Sequence, residues 1–141
     1  MNTALKATVS RVISAPIDQV FKAWVEPEQM KQWYGPEDMY TPEAESDPRT
    51  GGKYSVVMAW KENGVEKRST KSGEYLEFDE PNRLVFTWGD AASVVEVDFK
   101  TVEDDKTEVT LTHTGFENQQ SCEGHSKGWD STLSKLAKHV N

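Results

Sequence analysis

The sequence predicts an α+β fold: a curved antiparallel sheet of about six to seven strands wrapped around one long C-terminal helix, with two short helices after the first strand. Three observations carry this. Helical apolar spacing occurs in residues 16–36 and again in residues 118–140. Between those stretches the chain alternates with a period of two, and turn residues interrupt it. The length, 141 residues, suits one domain spanning 1–141 with a genuine core.

The elements follow in order. Residues 4–14 are rich in β-branched types and read as a strand, stopped by Ala15-Pro16. Pro16 suits the first helical position, where its missing N–H costs nothing. Ile17, Val20, Phe21 and Trp24 then form the stripe of an amphipathic helix. A second short helix begins at Pro27, presents Met30 and Trp33, and ends at Gly35-Pro36. From residue 37 the period changes. Tyr54, Val56, Met58 and Trp60 alternate with Lys53, Ser55, Val57 and Ala59, and Asn63-Gly64 supplies a hairpin turn. A long strand runs from Glu66 to Phe78, with Gly73 as an expected bulge or bend. A bulge there leaves open which of Tyr75 and Leu76 points inward, and with them the facing of Glu74.

Glu80-Pro81-Asn82 makes the next turn, after which Leu84, Phe86 and Trp88 oppose Val85 and Thr87. Beyond a turn at Gly89-Asp90, Val95, Val97 and Phe99 interleave with Glu96, Asp98 and Lys100. The segment 103–106 turns again, and Val109, Leu111 and His113 share one face of the last strand. Cys122, His125, Trp129, Leu133, Leu136 and Val140 step by three or four residues, predicting a helix from Asn118 to Val140. Gly128 lies inside it at a cost of ~1 kcal/mol relative to Ala. Close approach to another backbone is the expected reason.

Dimensions then imply a cavity. Seven strands ~4.8 Å apart span roughly 29 Å. One helix with its side chains is only ~10–12 Å across. The sheet must curl to be covered, with the glycines at 51, 52, 73 and 89 as bend points. The curl leaves space toward the edges, which the short helices can close. The aromatic residues aimed at that space are Trp33, Tyr54, Trp60, Phe86, Trp88, Phe99, Phe116 and Trp129. Val56, Met58, Tyr75, Val97, His113, His125 and Leu133 share the inward faces. Any one of these alone reads as core. As a set, with five tryptophans in the chain and an indole N–H on each, they suit a pocket wall better than a seamless interior.

Composition narrows the partners. Sixteen Lys and Arg against 24 Asp and Glu give a formal net charge of −8. That balance disfavours nucleic acid, whose phosphates need clustered cations. The chain has no apolar run long enough to insert in a membrane, and its first six residues lack a signal peptide's apolar core. One cysteine forms no internal disulfide and belongs to no zinc motif. A cytoplasmic protein without cofactor or metal is expected, as monomer or homodimer.

Two inward histidines invite a catalytic reading, but no carboxylate, serine or cysteine is spaced to complete a relay. His113 and His125 read instead as core or rim side chains satisfied by backbone or water. Glu74 would be a candidate base only if it faced inward. No catalytic residue is assigned. A binding module for a small apolar molecule is preferred over a cyclase-, dehydratase- or hydrolase-type enzyme using these histidines.

The motifs also carry a resemblance. Ala15-Pro16 through Trp24, Pro27-Glu28, Trp33-Tyr34-Gly35-Pro36, Gly51-Gly52-Lys53-Tyr54 and Gly73-Glu74-Tyr75 occur in order. The segments 81–88 and 111–116, and His125 to Gly128-Trp129, continue them. Together they resemble the activator of heat-shock protein 90 ATPase homologue-like family, C-terminal-domain type, of the START-like (SRPBCC) superfamily. The resemblance covers nearly the whole chain. It implies the helix-grip fold shared with the birch-pollen allergen, and a deep apolar cavity for lipids, hormones or polyketide-like aromatics. Tyr34, where a second tryptophan is common, and a short connection from Gly89 to Ser93 depart from the pattern at the cavity mouth. The family name implies a chaperone partner, but that role in the namesake also draws on a preceding domain, which counts against it here.

Overall fold

The computed structural model describes residues 5–89 and 93–140. Expectations placed on Ala4 and Asp90, and the middle of the Gly89–Ser93 connection, lie outside the described residues. Strand β1 (Lys6–Ile13) leads into helices α1 (Ile17–Val25) and α2 (Pro27–Trp33). Strands β2 (Tyr40–Ser46), β3 (Lys53–Glu62), β4 (Val65–Asp79), β5 (Arg83–Thr87), β6 (Val94–Glu103) and β7 (Lys106–Thr114) follow, and helix α3 (Gln119–Val140) closes the chain. The strands form one antiparallel sheet in the order β1-β7-β6-β5-β4-β3-β2. It curls into a half-barrel around α3, as the mismatch between sheet and helix widths requires.

Local chemistry explains the boundaries. Pro16 precedes α1 in an extended conformation instead of occupying its first turn, while Pro27 opens α2. Asn118 caps α3, its side-chain oxygen accepting the Ser121 N–H at 2.8 Å. Gly35 follows α2 with φ +101°, a conformation glycine adopts without steric cost. Strand β2 has no separate signal in the sequence, because Pro42 and four polar residues, Thr41, Glu43, Glu45 and Ser46, obscure its alternation. Its position at the sheet edge tolerates the proline.

The bending devices differ from those expected. Gly51 and Gly52 lie in the β2–β3 connection and Gly89 lies beyond β5. Register shifts mark bulges between Tyr40 and Glu43, Tyr75 and Glu77, and Thr101 and Glu103, where strands bend and twist. Gly73 pairs regularly with Tyr54. Its small size is needed because a Cβ there would stand 2.1 Å from the Thr87 carbonyl oxygen. The bulge falls at Leu76, so Tyr75 is buried, Leu76 is exposed, and Glu74 faces solvent. Glu74 is therefore excluded as a buried base.

Rings packed on rings occupy the centre. Phe21 meets Phe78 and Phe99 at centroid distances of 5.3 and 5.2 Å. Trp24 meets Trp33 at 4.8 Å, and Tyr54 meets Phe86 at 5.3 Å. Leu133 and Leu136 bring α3 onto this core. On the outer face Arg83 joins Glu77, Glu96 and both carboxylate oxygens of Asp98. Among the described residues no helix is long and apolar enough to cross a membrane.

Candidate functional site

A cavity of about 330 Å³ lies at one end of the half-barrel. Helix α3 supplies one wall with Ser121, Gly124, His125, Gly128, Trp129 and Thr132. Steps of three and one place these residues on a single helical face. The connector after α2 supplies a second wall with Tyr34, Gly35, Pro36 and Met39. Met58 of β3, Lys71 of β4 and Trp88 just beyond β5 complete it. An apolar cavity of about 150 Å³ accepts benzene, so this space suits a larger organic molecule.

Two glycines hold the space open. A Cβ on Gly124 would find no heavy atom within 4 Å. A Cβ on Gly128 would meet only the Pro36 ring, at 3.6 and 3.7 Å. Those are ordinary contacts, so the expected approach of another backbone to Gly128 is not found. Each glycine costs α3 about 1 kcal/mol relative to Ala, and packing does not demand either. What they preserve is volume between helix and connector.

The connector is fastened to α3. Lys135 Nζ donates to the carbonyls of Gly35 and Met39, both at 2.7 Å. Ser131 Oγ accepts the Glu37 N–H at 2.8 Å. Thr41 Oγ1 donates to the Tyr34 carbonyl at 2.8 Å. Burial lowers the Lys135 pKa from its ordinary value, so the ammonium is desolvated and held by carbonyls. Lys135→Met should remove both bonds and cost about 2 kcal/mol. Thermal unfolding should then fall by several degrees; an unchanged melting temperature would show that the clamp contributes nothing.

His113 sits behind the cavity wall, fully buried on β7. Its Nδ1 accepts the Trp129 indole N–H at 3.0 Å. Its Nε2 lies 2.9 Å from Ser93 Oγ, which donates to the Trp88 carbonyl at 3.1 Å. This fixes the neutral tautomer protonated on Nε2. Burial foremost, with His125 and Lys71 adding to it, lowers the pKa from 6.5 to about 4. Both nitrogens are engaged in holding Trp129 and the Trp88 segment. A general base needs a free lone pair, and here Trp129 occupies it. His125 donates from Nδ1 to the Ser121 carbonyl at 2.9 Å. Among the described residues no three His, Cys, Asp or Glu side chains stand together as a metal site would require.

The fifteen residues singled out from the sequence divide on this geometry. Met58, Trp88, His125 and Trp129 line the cavity. Val56, Phe86, Val97, Phe99 and Leu133 lie in the core. So do Trp33, whose indole N–H donates to the Ala23 carbonyl, and Tyr54, whose hydroxyl donates to the Thr87 carbonyl. Tyr75 shares a 2.9 Å hydrogen bond with Ser46. Trp60 is half-exposed on the outer half of β3. Phe116 is half-buried against His113 and His125, with centroids 4.4 and 5.2 Å away. Sequence reasoning missed Gly35, Pro36, Met39, Lys71, Ser121, Gly124 and Thr132 as lining residues, and it gave Gly128 the wrong role. A signal for the glycines existed: two in one helix, four residues apart.

The family model for activator of Hsp90 ATPase homolog 1-like protein matches residues 14–141. Solved structures repeat the fold. Protein CV1439 from Chromobacterium violaceum is 23% identical with a TM-score of 0.83, and the match covers 96% of each chain. The AHSA1 protein SPO3351 from Silicibacter pomeroyi is 24% identical with a TM-score of 0.82, again over 96% of each chain. A protein from Staphylococcus epidermidis, solved in solution by NMR, is 28% identical with a TM-score of 0.77. That match covers 100% of this chain and 92% of the other. No curated protein sequence matches the chain.

Proposed function

Because the chain belongs to the activator of Hsp90 ATPase homolog 1-like family, whose START-like members generally enclose small hydrophobic ligands, we propose that it binds one small, largely apolar molecule in the cavity between α3 and the Tyr34–Met39 connector. The carrying observation is the pair of helix glycines, Gly124 and Gly128, retained where a Cβ would fit. A helix selected for stability alone would fill those positions. Tyr34, Trp88 and Trp129 offer ring faces to the ligand, and Met39 and Met58 offer adaptable thioethers. The reading is of a binding protein, since His113 is committed to Trp129 and Ser93. Titration with one- and two-ring aromatics and medium-length alkyl chains, followed by tryptophan fluorescence, tests it. A saturable one-site change is expected, because two of the five indoles border the cavity. No saturable change across the panel would refute it.

A further inference from the structure

We propose that the ligand is a monoanion, an apolar molecule carrying one carboxylate, whose charge is held by Lys71 at the cavity mouth. This deepens the reading of the cavity as a ligand site and rests on it. Lys71 occupies the same parity of β4 as Gly73 and buried Tyr75, so its stem runs along the concave face of the sheet. It lines the cavity and is half-buried. Its ammonium reaches toward Gly89, where a Cβ would lie 3.7 Å from Nζ.

The charge balance around that ammonium points to an anion. Among the described residues no carboxylate forms an ion pair with Lys71, whereas the two arginines of the central strands are paired, Arg68 with Glu43 and Glu66, and Arg83 with three acids. Among the described residues no Asp or Glu lines the cavity. In a chain with eight excess negative charges, a cation facing an apolar space with no acid among the described residues of its wall is the unusual feature. His125, the other ionisable side chain besides tyrosine on the wall, has Nδ1 committed to the Ser121 carbonyl. A single ammonium supplies one positive charge, so a singly charged carboxylate matches it, whereas a dianionic phosphate would leave an unpaired charge against an apolar wall. The cavity, about 330 Å³, at roughly 30 Å³ per heavy atom leaves room for an apolar body of two fused rings.

The probes are 2-naphthoate and 2-naphthamide, which match in shape and differ in charge, titrated calorimetrically into the wild-type chain, Lys71→Met and Lys71→Arg. Circular dichroism and thermal unfolding establish that each variant is folded. The expected result is that naphthoate binds the wild type roughly tenfold or more tightly than naphthamide. Lys71→Met should abolish that preference without weakening naphthamide, and Lys71→Arg should keep it. Equal binding of the two probes to the wild type overturns the assignment of charge while leaving the apolar site standing. A preference that survives in Lys71→Met overturns Lys71 as its source. Binding of neither probe overturns this proposal together with the ligand site itself.

Discussion

Replacing Gly124 by leucine and Gly128 by alanine in one chain is expected to weaken binding of two-ring aromatic probes by about 10–100-fold while leaving the protein as stable as before, or more so. The five added carbons, at roughly 30 Å³ each, occupy on the order of 150 Å³. That is nearly half of a cavity of about 330 Å³. A ligand forced into the remainder meets an overpacking cost of about 1.4–2.7 kcal/mol, which converts to the stated range. Stability moves the other way. Gly124 has open space in place of a Cβ, and Gly128 has only the Pro36 ring at van der Waals distance. Each substitution therefore recovers up to about 1 kcal/mol of helix propensity without a clash at Cβ. Urea unfolding reads the stability, and calorimetric titration reads the affinity. Retained affinity in a folded variant would locate the ligand elsewhere. A large loss of stability would mean that the glycines serve packing after all.

Much of this fold was legible because its signals are local. The step pattern of Cys122, Trp129, Leu133 and Leu136 identifies α3, and the parity of Val95, Val97 and Phe99 identifies β6, without knowledge of any partner. Width against width then implies a curled sheet. The limits are also physical. Parity says that Phe86 and Trp88 face inward, yet it cannot say that Phe86 meets Tyr54 while Trp88 borders empty space. Fixing the void requires knowing where the Tyr34–Met39 connector lies, and Lys135 sets that through two carbonyls about a hundred residues away in the chain. Lys71 went unnoticed for a related reason. A lysine on a long, mostly exposed strand reads as solvated until it is seen to border a cavity lined mainly by apolar side chains. His113 was identified as inward, but the Trp129 and Ser93 partners that neutralise it come from other elements.

The same histidine should make the fold acid-sensitive well above the carboxylate range. Its pKa is about 4 in the folded chain against 6.5 when exposed. Well above pH 6.5 it is neutral in both states and contributes nothing to the pH dependence. As the pH falls, the unfolded chain takes up a proton that the folded chain refuses, so stability is lost on acidification. Between pH 7 and 5 the loss should reach about 2 kcal/mol, and the slope should fade as the folded-state pKa is approached. Burial is the first cause of the refusal, and the geometry agrees with it, because a proton on Nδ1 would point at the Trp129 N–H, which already fills that position. His113→Gln should start from lower stability, since it disturbs the links to Trp129 and Ser93, but its stability should change much less over that interval. Urea unfolding of the two chains at matched ionic strength gives the comparison. Parallel slopes for the wild type and His113→Gln would mean that the proton taken up on unfolding goes to some other group, and that the buried imidazole does not govern the fold's response to acid.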